Sequence, residues 1–350
     1  MNVYYIVAGP LILFSFLSLG LKHKNNLGVG FLVFLSLVIL NYVRGPVGSD
    51  YLPYDAIISG VGRMGPDSYA YLESGFRHVT YFLKCIFDDN VHVFGVYGTF
   101  ILLCIYIGIS RLKINVVISL VLYFLLFYIN YLFNGLRQGI AMGLFILALR
   151  DILYDNKKGV FSIGLAAYSF HFSGIFVIVS YFFSKLDIKV VFYILIGSLL
   201  MSVVGLSSIL FQIFSAAGMV SKVEMYQKLS EPTSFVQYIM RLILLAMVVY
   251  CYLESRSVTM MEPLVKVYLL GTILFFLFVD QNVFATRINM FFRVAEIAVF
   301  SSYVSLSKTP PINKIIMLVA VLFIYTSQFN VMINLEDNLF KFNHLFGGKL

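Results

Sequence analysis

Charge is what this sequence has least of. Only 12% of its 350 residues are Asp, Glu, Lys or Arg, about half the share that a water-facing surface carries. That scarcity excludes a soluble globular enzyme, a nucleic-acid-binding domain and a disordered chain. Tryptophan is absent, so 24 Tyr and 35 Phe must furnish any interfacial aromatic belt. Cysteine is limited to Cys85, Cys104 and Cys251. An odd, widely spaced set gives neither a disulfide framework nor a metal knuckle. Asp88-Asp89 lacks a third ligand and reads as a solvated turn, so no metal site is expected. There is no internal repeat and no low-complexity tract. No basic region precedes the first apolar run, which is long and followed by Lys22, His23 and Lys24. An uncleaved first span that starts outside is the expectation.

Apolar residues are what is present, at 60% of the chain with a mean hydropathy of +0.91. A helical span takes about 20 residues. The apolar runs are continuous and do not alternate, which excludes a transmembrane barrel. The expected fold is an all-α polytopic membrane protein, one membrane domain over residues 1–350 with about 11–12 transmembrane segments. The segments read as Val3–Leu21, Leu27–Val43, Val91–Ser110, Ile114–Phe133, Leu136–Tyr154, Val160–Ser184, Val190–Phe211, Phe235–Leu253, Leu264–Val279, Ile288–Leu306 and Ile312–Thr326. Two polar stretches, residues 44–90 and 215–234, read as outer loops. Long loops of this kind are uncommon unless functional.

The segment Val160–Ser184 fits either one long tilted helix or two short helices meeting near His171. Charge favours the second. With two short helices, the turns from Lys22 to Lys314 that face one side hold thirteen Lys and Arg against five acids, and the remainder holds twelve of each. That asymmetry satisfies the positive-inside rule. The net charge of +8 therefore reports orientation and not a nucleic-acid partner. The same topology gathers the unusual polar residues at the outer ends of helices: Arg44, Asp50, Tyr51, Tyr54, Glu73, Arg77, Asn134, Arg137, Gln138, His171, Arg287 and Arg293. Ionisable groups near hydrocarbon cost several kcal/mol unless paired or hydrated, so such a set implies a wet cavity for something charged.

Asn134-Gly-Leu-Arg137-Gln138-Gly-Ile-Ala141-Met-Gly143 is the strongest local feature. Gly135, Gly139 and Gly143 form a small-residue ridge that admits another helix. Asn134, Arg137 and Gln138 share a neighbouring face, and a guanidinium beside two amides suits phosphate oxygens. Simple snorkelling of Arg137 to the headgroups is the plain alternative. Asp50 and Glu73 are candidate general bases or sugar ligands, with Tyr51 and Tyr54 as faces for sugar rings; ordinary solvated turns are the plain reading. His171 is either a packed, hydrogen-bonded residue or a proton carrier, since the unperturbed pKa of histidine suits proton transfer near neutrality. Arg287 and Arg293 are about 240° apart on an ideal helix, so Arg287 is expected in the loop before the helix. Glu296 is placed to pair with Arg293. Arg241 is a weaker candidate, as are Lys222, Tyr226 and Lys228 in the second loop.

In series, Asp50-Tyr51-x-x-Tyr54, Glu73-x-Gly75-Phe76, Leu136-Arg137-Gln138 with Ala141, His171-x-Ser173, and Arg287 with Arg293 resemble the EpsG-like family of Wzy-type polysaccharide polymerases, which includes many O-antigen polymerases. The order fits from about residue 48 to 295; Ser74 stands where the family often has Pro. The resemblance implies a glycosyltransferase-C-like bundle in the bacterial inner membrane with its active site facing the periplasm. Residues 44–90 and 215–234 would be periplasmic loops. It implies a reaction on undecaprenyl-pyrophosphate-linked oligosaccharide: the growing glycan passes to an incoming unit and undecaprenyl pyrophosphate leaves. Arg137, Arg287, Arg293, Gln138 and Asn134 would hold the pyrophosphate. His171, Asp50 or Glu73 would serve the acceptor hydroxyl, and Tyr51, Tyr54 and Arg77 the sugars. No cofactor is expected, and membrane lipids and a chain-length regulator are the other expected partners. The competing readings are a lipid-linked oligosaccharide flippase, an O-antigen ligase or a single-sugar transferase. The flippase should show repeats and mid-helix polar residues.

Overall fold

The computed structural model describes residues 3–204 and 233–335. The described residues are almost entirely helical and contain no strand. Among the described residues, six helical segments are long and apolar enough to cross a membrane: Val3–Gly20, His23–Val43, Asn90–Leu112, Val116–Phe133, Phe235–Glu254 and Pro311–Asn334. The helices are α1 (Val3–Leu17), α2 (His23–Val43), α3 (Tyr51–Met64), α4 (Ser74–Ile86), α5 (Asn90–Leu112), α6 (Val116–Tyr123), α7 (Leu136–Leu153) and α8 (Lys157–Phe170). They continue as α9 (Ile175–Phe183), α10 (Ile188–Val204), α11 (Phe235–Glu254), α12 (Met261–Leu277), α13 (Asn282–Leu306) and α14 (Pro311–Leu335). The remaining expected spans are thus helical too, as α7, α8–α9, α10, α12 and α13. They are shorter or carry more charge.

By contacts the chain forms two compact units, Met1–Ile178 with Ser301–Leu350, and Val179–Phe300. In the first unit the fourth span is the core. From Val116 to Phe133 it has almost no polar residue, and 94% of its most apolar stretch is buried. A helix that is apolar all round is one that is buried all round. α1, α2, α5, α7 and α14 pack around it. Its second half, Phe124–Phe133, winds as a π-helix, and Asn134 N–H still closes on the Ile129 carbonyl at 3.3 Å. Such wide turns are rare and occur mostly at functional sites.

The glycine ridge of α7 is used inside the chain. A Cβ on Gly143 would meet the Ile101 carbonyl of α5 at 3.2 Å, and one on Gly139 would strike the Tyr131 carbonyl. Small residues here let backbones approach closely. At the far end of this pair, Arg111 donates to Asp151 at 3.1 Å and to the Leu147 carbonyl at 3.1 Å. Asn156 also donates to Asp151, at 2.7 Å.

The polar stretch 44–90 is not structureless. It holds α3 and α4, and Phe76, Thr80 and Leu83 give α4 one buried face. Thr80 Oγ1 lies 2.7 Å from the Tyr97 hydroxyl of α5. Asn90 ties α3 down by donating to Asp55 at 2.9 Å and Ser59 at 2.7 Å. The second polar stretch, 215–234, lies outside the described residues except for Thr233 and Ser234, and so do Lys222, Tyr226 and Lys228.

Between α8 and α9 the helix breaks. His171 is extended (φ −158, ψ 136) and Phe172–Gly174 form a single 3-10 turn. α9 then folds back on α8: Gly164 faces Val177 and Ile178, and Gly174 abuts Ala167 and Tyr168. The two limbs have 14 and 9 residues, about 21 and 14 Å at 1.5 Å per residue. This is a hairpin of two short helices with His171 at its tip. The Gly174 contacts leave no room for a side chain, so Gly174→Val is expected to cost at least 1–3 kcal/mol. The check is the melting temperature and monodisperse yield of the detergent-purified protein. Wild-type values would contradict the close packing of the hairpin.

Candidate active site

The site is assembled in the first unit, where α3, α4, α7 and the α8–α9 tip come together. Asp50 precedes α3. Gly48 has φ +114, and a Cβ there would strike the Phe133 carbonyl and the Asn134 side chain. Only glycine tolerates both the backbone and the contact. The close approach lets Asp50 Oδ2 accept from Gly135 N–H at 3.1 Å, while Ser49 donates to Asn134 Oδ1 at 3.1 Å. Asp50 and Asn134 therefore join the start of α3 to the turn that begins α7.

Arg44 supports that turn from behind. It is buried, donates to the Leu132 carbonyl at 2.8 Å, and its guanidinium carbon lies 4.2 Å from the Phe133 ring centre. An arginine at the end of an apolar run was the available signal for this role; its burial and its partner carbonyl were not readable in advance.

At the centre, Arg137 Nη1 donates to Glu73 Oε2 in a short ion pair, and Nε reaches the Tyr54 hydroxyl at 3.4 Å. Glu73 occupies the N-cap position of α4 but makes no side-chain cap bond. Its second oxygen accepts from the Phe172 amide at 3.2 Å. One carboxylate thus joins α4, α7 and the hairpin tip. Burial pushes the Glu73 carboxyl up. The Arg137 guanidinium, the backbone donors including Phe172, and His171 outweigh it and hold the group below its ordinary value. The Arg137 side chain keeps 24% of its surface exposed. Among the described residues its Nη2 has no hydrogen-bond acceptor, so it can serve an outside acceptor.

His171 has a defined orientation. Its Nδ1 accepts the Ser173 backbone N–H at 3.1 Å and lies 2.7 Å from Ser173 Oγ. A backbone N–H can only donate, so the neutral ring carries its proton on Nε2.

The other expected residues take more modest places. Tyr51 stacks on Phe94 at 4.8 Å, and Tyr54 is buried with its ring edge-on to Phe76 at 6.0 Å. Arg77 donates to the carbonyls of Leu72 at 3.0 Å and Pro66 at 2.7 Å, tying the turn ahead of α4. Gln138 lies one residue beyond Arg137 on α7 and is half-buried. Asp89 caps α5 by accepting from Val91 N–H at 2.9 Å. Among the described residues no group of three His, Cys, Asp or Glu could hold a metal ion.

In the second unit, α13 starts at Asn282, so Arg287 is helical and not in the preceding loop. Asn282 Oδ1 accepts from Thr286 Oγ1 at 3.0 Å, and the helix begins a turn earlier than the apolar run suggests. The two arginines accordingly lie on different faces. Arg287 is exposed; Arg293 is buried and grips Glu296 through two bonds of 2.6 and 3.0 Å. Arg241 is buried with its guanidinium 5.3 Å from the Phe275 ring centre.

A bundle of apolar helices with a cation, a carboxylate and an imidazole gathered at helix ends defines a polytopic membrane protein with a polar site. Residues 29–344 match the EpsG family, and the chain belongs to it. Membership indicates a glycosyltransferase-like role in polysaccharide synthesis. No curated protein and no solved structure matches the chain.

The depressed Glu73 carboxyl gives a pH signature. Its stabilising contribution is complete above the ordinary carboxylate value of about 4.5 and is lost as pH falls through the lower folded value. The gap in melting temperature between wild type and Glu73→Gln should therefore be constant from neutral pH down to about 4.5, shrink below it, and be gone once the pH is under the folded value. A gap that widens on acidification would contradict the pairing with Arg137.

Proposed function

We propose that this chain polymerises undecaprenyl-pyrophosphate-linked oligosaccharide units into a surface polysaccharide such as O-antigen, at the periplasmic face of the bacterial inner membrane. An oxygen of the acceptor sugar attacks the anomeric carbon of the donor glycan. The bond from that carbon to pyrophosphate breaks, undecaprenyl pyrophosphate leaves with the bonding electrons, and the hydroxyl proton passes to the leaving group or to water. The observation that carries this reading is Arg137. It is a partly exposed guanidinium, fixed by Glu73 and Tyr54, beside the hairpin tip that bears His171.

A departing pyrophosphate gathers negative charge, and fixed cations in a low-dielectric site stabilise it by several kcal/mol. Arg137 supplies such a cation without a metal. Its neighbours Asn134 and Gln138 are amide donors for the remaining oxygens. Arg287, in the second unit, is a phosphate ligand by residue type alone. The Arg293 fork is filled by Glu296, which suits a positioning role better. Asp50 and Glu73 accept backbone or guanidinium hydrogens already, and the Glu73 carboxyl, held low, is a weak base. The proton on Nε2 makes His171 a donor to a phosphate or sugar oxygen in its neutral form, in place of a base.

The donor role is separable from the base role. Gln retains an N–H near the Nε2 position and Asn does not. His171→Gln should keep more polymerisation activity than His171→Asn in a purified in vitro assay; equal loss in both would favour the base. In the same assay Arg137→Ala should slow chain growth by about 100- to 1,000-fold, with Arg137→Lys between it and wild type. Wild-type rates for Arg137→Ala would remove the proposed chemistry. Gene disruption separates polymerase from flippase or ligase: surface lipid bearing single repeat units supports polymerisation, and lipid bearing none supports the competitors.

A further inference from the structure

At the end of the first unit away from Arg137, a cavity of about 380 Å³ opens between the end of α1, the start of α2, the α5–α6 turn and the α13–α14 turn. α5 separates it from the site. Asn90 at one end of that helix bonds to α3, and Lys113 at the other end lines the cavity; 23 residues span about 34 Å. His23, Lys113 and Lys314 line this cavity and no carboxylate does. A cavity lined by two lysines and no carboxylate favours an anion.

The backbone adds donors. α2, α6 and α14 all begin at this cavity, at His23, Val116 and Pro311. The start of α6 is already satisfied: Val116 N–H donates to Asn26 Oδ1 at 2.7 Å and Ile118 N–H to Asn115 Oδ1 at 3.0 Å. The start of α2 has no side-chain cap, and His23 and Asn26 of its first turn line the cavity, so the positive end of its dipole lies beside it. Lys314 is held in place by donating to the Ser307 carbonyl at 2.7 Å, which leaves further ammonium hydrogens for a ligand. Leu306 and Ile315 complete an apolar rim. A free ion has no use for that rim, whereas an amphiphile does.

We propose that this cavity binds the phosphate headgroup of an anionic membrane lipid, with Lys113, Lys314 and the first turn of α2 around the phosphate oxygens and the acyl chains along the apolar rim. The site is independent of the reaction proposed for the opposite end.

The test uses the full-length protein in a neutral detergent, titrated with phosphatidylglycerol or phosphatidylcholine and read by native mass spectrometry. Wild type should retain one phosphatidylglycerol in preference to phosphatidylcholine. At about a factor of five per lysine, Lys113→Asn should weaken that binding about fivefold and the double variant with Lys314→Gln about 30-fold. Asn tolerates the left-handed backbone of Lys113 (φ 57), so Lys113→Asn decides the matter alone should the double variant not fold. Lys158→Asn, an exposed lysine that does not line the cavity, should change nothing. Equal retention of both lipids, or equal weakening by Lys158→Asn and Lys113→Asn, would overturn the proposal. Inorganic phosphate that binds with the same lysine dependence while phosphatidylglycerol shows no preference would overturn the lipid assignment in favour of a soluble phosphate.

Discussion

The Glu73–Arg137 ion pair is the constraint around which the first unit's polar end is organised. A guanidinium at the head of a membrane helix carries a desolvation cost that only a partner or water can offset. Glu73 is that partner, and it lies 64 positions earlier in the chain. To reach Arg137, the stretch after α2 has to fold into α3 and α4 and lie over the bundle. The same carboxylate also accepts the Phe172 amide, which fixes the hairpin tip and with it His171. Removing either charge leaves the other half-buried and uncompensated, so the pair is better described as an organiser of three elements than as a source of net stability.

The opposite end of α5 and α7 is tied in a matching way. Arg111 and Asp151 close that end, with Asn156 on the same carboxylate. Between the two charged ends the helices meet through glycines and apolar side chains alone. Burial offers no hydrophobic gain over lipid there, so close backbone approach is what holds the pair. Directional bonds at both ends then set the register of α7 and determine where Arg137 stands.

Much of this was legible from residue type and order. Continuous apolar runs announced the helices, and the distribution of Lys and Arg argued for a hairpin at His171. The glycine ridge announced close packing. Residue type also placed Asp50, Tyr54, Glu73, Arg137 and His171 at one set of helix ends. What could not be read was partnership. Nothing in Phe172 signals that its amide will meet a carboxylate 99 residues away, because a backbone donor has no sequence signature. Tyr51 and Tyr54 looked like sugar platforms since an exposed aromatic and a packed one share one letter. Arg287 was assigned to a loop because it lies about 240° from Arg293 on an ideal helix, but α13 starts at Asn282 and carries the two arginines on different faces. The internal order of residues 44–90 was hidden because their apolar positions are sparse, and only the burial of Phe76, Thr80 and Leu83 explains the amphipathic turn.

A paired cation has a consequence for the proposed transfer. An unpaired guanidinium would attract the substrate's pyrophosphate and the released pyrophosphate alike, and binding both equally tightly does not accelerate chemistry. Glu73 removes most of that indiscriminate attraction, since the two charges nearly cancel at a distance. The cancellation fails at close range, where an oxygen that gains charge as the glycosidic bond breaks would lie nearer to Arg137 than to the carboxylate. The stabilisation then grows with the developing charge and is small before it. The Phe172 amide fixes the second Glu73 oxygen, and a neutral His171 with its proton on Nε2 would add a further donor. In the proposed reaction, a site built this way would favour the leaving group as its charge develops.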